Sequence, residues 1–153
     1  MFKFDKVKAH CDVPCGIYDP STAQIAALSV IRMIDLMDAA QKGDNEAAYL
    51  NSMARYITVK EDEAIKCKNE IAIIWGDFIK PPHVEEYPNL HVLAHKIMML
   101  GGAAKQHNSR EKAMELLAAV NEFAEIFWAI KGVKTQTVTA PYAPNESVVS
   151  PLL

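Results

Sequence analysis

Residues 109–132 read SREKAMELLAAVNEFAEIFWAIKG, and this stretch carries the clearest signal for the fold class. Ser109 is a residue type that caps the start of a helix, and Gly132 is a type that follows the end of one. Neither proline nor glycine occurs between them. Phe123, Phe127 and Trp128 recur at helical spacing, which is more typical of a buried core than of a cofactor site. The stretch therefore predicts a helix with one face in the core.

Two further helices are predicted towards the N-terminus. The first has Asp19 as its capping residue and Pro20 as its first helical position, and it ends at Gly43. Its apolar residues are Ile25, Leu28, Ile31, Ile34 and Leu36. The second lies within residues 44–79, which contain no proline. Its predicted apolar stripe consists of Ala64, Ile65, Ala72, Trp75 and Phe78.

Another predicted helix opens at Pro88 and ends near Gly101 and Gly102 or just past Lys105. Residues 80–88, KPPHVEEYP, separate it from the preceding helix, and their prolines predict a loop. Four helices with short connections favour an all-α, antiparallel four-helix bundle.

The last segment, residues 133–153, contains three prolines and shows no helical period. We expect an irregular C-terminal tail that is either disordered or laid along the surface. The domain plan is then a leader of residues 1–9, a domain of residues 10–132 and a tail of residues 133–153.

Composition narrows the class of protein. The 153 residues fit one domain, half of them are hydrophobic, and the net charge is −3, as in soluble globular proteins. There is no basic stripe for nucleic acid and no apolar run near the roughly 20 residues that cross a membrane. The leader MFKFDKVKA lacks the apolar centre of a secretory signal, and three cysteines suit a reducing compartment. We expect a cytoplasmic protein.

Near the N-terminus, residues 10–20 read HCDVPCGIYDP. Two thiols and an imidazole this close together can converge on one metal ion, and mixed nitrogen and sulfur donors favour nickel or copper. Pro14 stiffens the turn and Gly16 permits a positive φ, so the segment can fold back as a hook. A thioredoxin-type disulfide requires a βαβ unit, and no strands are predicted. On spacing alone, a chance grouping of three liganding side chains stays open.

The same segment resembles the hook of the nickel superoxide dismutase family, whose pattern is His-Cys-x-x-Pro-Cys-Gly-x-Tyr. Residues 75–91, WGDFIKPPHVEEYPNLH, resemble the family's Trp-x-Asp-Tyr-Phe-Lys-Pro-Pro-His segment, and the resemblance continues in residues 126–132, IFWAIKG. It therefore covers residues 10–132, with the hook at residues 10–18.

The resemblance implies one nickel ion per chain and a leader removed by a protease between Ala9 and His10. The freed His10 amine, the Cys11 amide nitrogen and the thiolates of Cys11 and Cys15 would be equatorial ligands, and the His10 imidazole would be axial. It further implies an antioxidant enzyme that converts superoxide to dioxygen and hydrogen peroxide by cycling between Ni(II) and Ni(III). The family's homohexamer of four-helix bundles is the expected assembly.

Four residues carry the expected catalytic roles: His10, Cys11, Cys15 and Tyr18. Tyr18 would lie above the metal, order water and restrict access. Asp12 and Val13 would shape a small anion site, and Lys80 would attract superoxide unless it is an ordinary solvated lysine.

The chain departs from the family pattern at three positions. Phe78 stands where the family has a second active-site tyrosine. Ala26 stands where the best-known members have a glutamate that steadies the axial imidazole, and Glu63 aligns with the arginine partner of that glutamate. Two alternatives follow: a nickel-binding homologue without turnover, and a redox module that uses a disulfide between Cys11 and Cys15.

Other chemistry-bearing residues have ordinary explanations. His91 and His95 share a helix face and are interpreted as a packing or surface pair. His83 is interpreted as a residue that fixes a loop by hydrogen bonding, and Cys67 as a thiol without a role in the site.

Overall fold

The computed structural model describes residues 16–152. Within that range the chain is mostly helical, and its elements are α1 (Ser21–Ala39), α2 (Glu46–Ile73), a π-helical turn (Ile74–Phe78), α3 (Pro81–Glu86), α4 (Leu90–Gln106), α5 (Arg110–Ile130), β1 (Thr135–Thr139) and β2 (Ser147–Pro151). None of these helices has the length and apolar content that a bilayer crossing requires.

Side-chain hydrogen bonds lie at the starts of α1, α2 and α5, close to the positions that the sequence predicts. The Ser109 hydroxyl accepts a hydrogen bond from the Lys112 amide at 3.3 Å, and the Asn45 side chain accepts one from the Ala48 amide at 3.0 Å. Asp19 accepts from the Ser21 amide at 2.8 Å, although α1 begins one residue later than predicted. Gly132 has a φ of 70° just past α5, as a helix-ending glycine should.

The core lies between four long helices. α1 packs on α2 and α5, and α4 packs on the same two helices. The largest fully buried side chains come from all four: Ile31 and Ile34, Ile71, Leu90 and Ile97, and Leu116, Phe123 and Phe127. The short α3 contributes no buried residue.

The inward face of α2 differs from the predicted stripe. Ile65 is 41% exposed, whereas Cys67 and Ile71 are fully buried. Lys60 is only 2% exposed, and its Nζ donates to the Lys105 carbonyl at 3.1 Å and to the Asn108 side chain at 2.9 Å. Desolvation lowers the pKa of Lys60. These partners at the end of α4 thus satisfy the ammonium group and allow a lysine to be buried on this face of α2.

Residues 80–88 are not a plain loop, and that prediction is wrong. Pro81 and Pro82 open α3, where the first turn of a helix needs no amide donors. The His83 Nδ1 accepts a hydrogen bond from the Lys80 amide at 3.1 Å, so His83 does act as a hydrogen-bonding residue, but it fixes the start of α3 and not a loop.

The predicted irregular tail is also wrong, because residues 135–151 form an antiparallel hairpin. Thr135 pairs with Pro151, and Val138 pairs with Val148. Both strands are rich in β-branched residues, which favour the extended conformation. Two of the three prolines, Pro141 and Pro144, fall in the connection, where they remove no ladder hydrogen bond.

Candidate metal centre

Five of the predicted site residues lie outside the described residues: His10, Cys11, Asp12, Val13 and Cys15. The structure describes the segment that follows them. Gly16 has a φ of 69°, as expected for a glycine that lets the chain turn back. Tyr18, Asp19 and Pro20 then lead directly into α1.

Tyr18 is half-buried and packs against the core. Its ring centroid lies 5.6 Å from that of Phe78, at an angle of 47° between the ring planes. Phe78 ends the π-helical turn, a type of distortion that is frequent at functional sites. Tyr18 also lines a groove of about 330 Å³ together with Glu70 and Ile74 of the neighbouring chain segments.

Phe78 is the centre of an aromatic cluster made of Tyr18, Phe78, His83, Phe127 and Trp128. The Phe78 ring stacks on His83 with centroids 5.5 Å apart, and it lies 5.0 Å from the Phe127 ring. Phe127 in turn makes an edge contact with Trp128 at 5.0 Å. The three sequence segments that carry the family resemblance therefore meet in one place: the end of the hook, residues 75–91 and the end of α5.

Lys131 is a residue that the sequence reasoning missed. Its Nζ lies 5.4 Å from the centroid of Phe78 and 5.5 Å from that of Phe127, which is cation–π distance. Its position four residues after Phe127, at the end of a helix, is the signal that could have revealed it. A cation is thus fixed beside the ring that contacts Tyr18.

Lys80, the predicted attractor of superoxide, is exposed. It lines a groove of about 450 Å³ with Glu85 and His91. His91 Nδ1 accepts a hydrogen bond of 2.8 Å from the Trp75 indole, and this bond supports the interpretation of His91 as a packing residue. Among residues 16–152 no group of three or more His, Cys, Asp or Glu side chains is arranged to hold a metal ion.

Cys67 is fully buried in α2 and cannot serve as an exposed metal ligand. Burial raises the pKa of its thiol to about 12, with further contributions from Glu63 and Glu70. A thiolate is the form that binds metal, so this thiol is unsuited to the task.

The shifted pKa of Cys67 predicts how stability depends on pH. The unfolded thiol loses its proton near the ordinary value of 9.0, while the folded thiol keeps it up to about 12. The free energy of unfolding should therefore fall as pH rises from 9.0 towards 12. Chemical denaturation across that range, with Cys67→Ala as the matched control, tests this. An equally steep decline in the control would contradict the assignment.

Ala26 and Glu63, which depart from the family pattern, both lie within the described residues. Ala26 is fully buried in α1 and offers no hydrogen-bonding side chain. Glu63 lies on α2, where its Oε2 is buried without a hydrogen-bond partner and forms a long ion pair with Lys66 Nζ at 3.9 Å. Neither residue reproduces a carboxylate with an arginine partner.

Comparison with known proteins identifies the family. A sequence model described as nickel-containing superoxide dismutase matches residues 5–131. The chain is 36% identical over 126 residues to superoxide dismutase [Ni] of Streptomyces seoulensis, covering 82% of this chain and 91% of that protein. It is 34% identical over 125 residues to the protein of the same name from Streptomyces coelicolor, covering 82% and 90%.

Solved structures agree with the sequence match. A crystal structure of Ni-containing superoxide dismutase, with nickel ligation of a partially reduced state, superimposes with a TM-score of 0.72 at 35% identity. The alignment covers 80% of this chain and 99% of that one. A native structure of nickel superoxide dismutase gives a TM-score of 0.71 at 34% identity, with the same coverage. The chain belongs to the nickel-containing superoxide dismutase family.

Proposed function

We propose that this chain is a nickel-dependent superoxide dismutase. Two superoxide ions and two protons would give one dioxygen and one hydrogen peroxide, so that one superoxide is oxidised and the other is reduced. The observation that carries the proposal is the convergence at the aromatic cluster. Tyr18, at the end of a complete hook motif, packs on Phe78, which in turn packs on Phe127. The three segments that match the family pattern therefore meet around Phe78.

The donor set of the hook fits nickel. Two thiolates, an imidazole and backbone nitrogens are soft or borderline donors that suit nickel better than magnesium or calcium. In this proposal His10, Cys11 and Cys15 hold one nickel ion per chain. When bound, the metal supplies one-electron chemistry between Ni(II) and Ni(III).

The described residues would serve this chemistry by binding and positioning. The Tyr18 hydroxyl orders water and limits access beside the hook, and its ring is fixed by Phe78. Lys131 and Lys80 provide positive charge that attracts the superoxide anion on a chain of net charge −3. Asp12 and Val13 would shape the small anion site.

We also propose the finer architecture. Residues 1–9 would be a leader that a protease removes, and residues 10–132 would form the domain. α1, α2, α4 and α5 would form an antiparallel four-helix bundle, a proposal supported by their contacts and by the short connections after α1 and α4. A cytoplasmic location suits the low cysteine content.

A homohexamer is the proposed assembly. Val92 and Met99 lie seven residues apart on α4, which places them on one helix face. They are 68% and 62% exposed, which supports contact with another chain.

One experiment separates this function from its alternatives. The chain starting at His10 should bind one nickel ion and catalyse superoxide dismutation when it is loaded under reducing conditions. Metal analysis and stopped-flow decay of superoxide measure the two properties. Stoichiometric nickel without catalysis would indicate a nickel-binding homologue. A Cys11–Cys15 disulfide with no affinity for nickel would indicate a redox module.

Phe78→Tyr should change catalysis more than stability. The Phe78 ring is half-buried at the edge of the core, so an added hydroxyl can reach solvent beside Tyr18. We expect a changed rate or peroxide sensitivity in the nickel-loaded enzyme, and a melting temperature close to that of the parent. Phe127→Tyr is the matched control, because Phe127 is fully buried and an added hydroxyl there should destabilise the fold. A large loss of stability in Phe78→Tyr with unchanged kinetics would show that position 78 does not face the site.

A further inference from the structure

The C-terminal hairpin is an addition to the matched part of the family. The family match ends at residue 131, and β1 begins at Thr135. The hairpin is nevertheless built into the fold, since both strands contact α5 and Val149 of β2 is buried. These contacts indicate that the hairpin stabilises the part of the fold on which it packs.

The hairpin is joined to α1 and α5 by a polar lock, which we define as Gln24, Asn121 and the backbone of Ser147 and Val149. Gln24 is 4% exposed, and its Nε2 donates to the Val149 carbonyl at 2.8 Å and to Asn121 Oδ1 at 2.9 Å. The Asn121 side-chain amide donates to the Ser147 carbonyl at 2.9 Å, and its Oδ1 also accepts from the Val149 amide at 3.3 Å. The buried bond from Gln24 to Val149 favours one arrangement, because breaking it would leave polar groups without partners away from water.

The lock lies at the end of α1 that follows the hook. Gln24 is in the first turn of α1, and its backbone amide donates to the Pro20 carbonyl at 3.1 Å. Asp19 and Ser21 line a cavity of about 170 Å³ together with Ser150 and Pro151 of the hairpin. The hairpin therefore lies beside the residues that connect Tyr18 to the helix.

A second anchor holds the hairpin independently of the lock. Arg110 forms ion pairs with Asp35 of α1 at 2.8 Å and with Glu146, just before β2, at 2.5 Å. Breaking the lock should therefore loosen the start of α1 without detaching the whole hairpin.

We propose that the hairpin fixes the start of α1 and thereby preorganises the nickel hook, with Gln24 and Asn121 as positioning residues. The hook donors are attached to this helix through Tyr18 and Asp19. If the first turn of α1 frayed in the metal-free chain, metal binding would have to order it, and the lost conformational entropy would weaken the affinity. A turn that is already fixed avoids this loss. The effect on nickel rests on the proposed function, whereas the effect on α1 does not.

The test uses the chain starting at His10 with the variants Gln24→Met and Asn121→Ala. Gln24→Met keeps the side-chain volume and removes the donor, and Asn121→Ala breaks the same lock from α5. Glu122→Ala, an exposed neighbour on α5, is the matched surface control. Lys60→Met is the destabilising control, because it removes buried hydrogen bonds between α2 and the end of α4.

Two quantities are measured: hydrogen exchange of amides 21–25 in the metal-free chain, and the dissociation constant for nickel. Both lock variants should exchange about 10-fold faster and bind nickel about 10-fold more weakly, the size expected when one or two hydrogen bonds that hold the first turn are lost. Neither control should do so. Unchanged exchange in the lock variants, or equal acceleration in Lys60→Met, would overturn the proposal. Faster exchange with unchanged nickel affinity would refute the link to the hook. If the parent chain binds no nickel, the proposed function fails, and exchange alone decides whether the hairpin fixes α1.

Discussion

Replacing Cys11 or Cys15 with serine is expected to abolish both nickel binding and superoxide dismutation in the chain starting at His10. A serine hydroxyl is a hard donor that rarely ionises near neutral pH, so it cannot replace a thiolate on nickel. Each single variant should fall to background in metal content and in rate. Helix content should remain that of the parent, because the described helices begin only at Ser21.

Cys67→Ala provides the matched control for these variants. Its thiol is fully buried, and its pKa is raised to about 12, so its loss should leave nickel stoichiometry and rate unchanged. Full activity in either Cys11→Ser or Cys15→Ser would refute the hook as the metal site. If Cys67→Ala lost nickel while its fold stayed intact, Cys67 would be a nickel ligand in spite of its burial in α2.

The helices could be predicted because their ends are encoded locally. Ser109 accepts its hydrogen bond from an amide three residues away, and Gly132 adopts a positive φ beside the helix that it follows. Such signals need no knowledge of distant residues. The π-helical turn before Phe78 has no comparable local signature, so the sequence predicts one continuous helix there.

The inward face of α2 could not be predicted from apolar spacing. Lys60 is buried only because it reaches Lys105 and Asn108 at the end of α4, which are more than forty positions away in the chain. Pattern analysis ranks a lysine as exposed and therefore favours the neighbouring stripe, which contains Ile65. Whether such a residue is buried depends on partners that are distant in the sequence.

The C-terminal hairpin could not be predicted from the sequence, for a related reason. A two-stranded hairpin is marginal by itself and depends on packing against another element. Here Gln24 and Asn121 supply the partners for β2, and neither residue carries a signal in the sequence that links it to residues 147–151.

The candidate site was likewise only partly predictable from the sequence. The proposed ligand motif is contiguous, so residues 10–18 could be interpreted from the sequence and its resemblance. The surroundings of Tyr18 are assembled from separate segments. Phe78 and Lys131 meet because the π-helical turn and the end of α5 are adjacent in space. The spacing of four residues between Phe127 and Lys131 is a local signal for their contact, whereas the contact of Lys131 with Phe78 is seen only in the structure.

Removal of residues 1–9 is expected to switch on nickel binding and catalysis together. In a chain that begins at Met1, the nitrogen of His10 is an amide bonded to Ala9. Its lone pair is delocalised into the carbonyl, so it cannot act as an amine ligand. Nine additional residues attached to the same atom would also crowd the proposed metal site.

The measurement compares chains starting at Met1 and at His10, each purified without a protease and loaded with nickel under reducing conditions. The longer chain should show background dismutation and no square-planar nickel absorption, while the shorter chain shows both. Circular dichroism should be nearly equal, because α1 starts at Ser21, eleven residues beyond the cut. A chain starting at Ala9 is the sharpest control, since one extra residue restores the amide without the bulk of the leader. If it is inactive, the chemistry of the His10 nitrogen is the cause; if it is active and the Met1 chain is not, crowding is the cause. Equal rates from the Met1 and His10 chains, with mass spectrometry showing that the longer one stayed intact, would overturn the role of the freed amine.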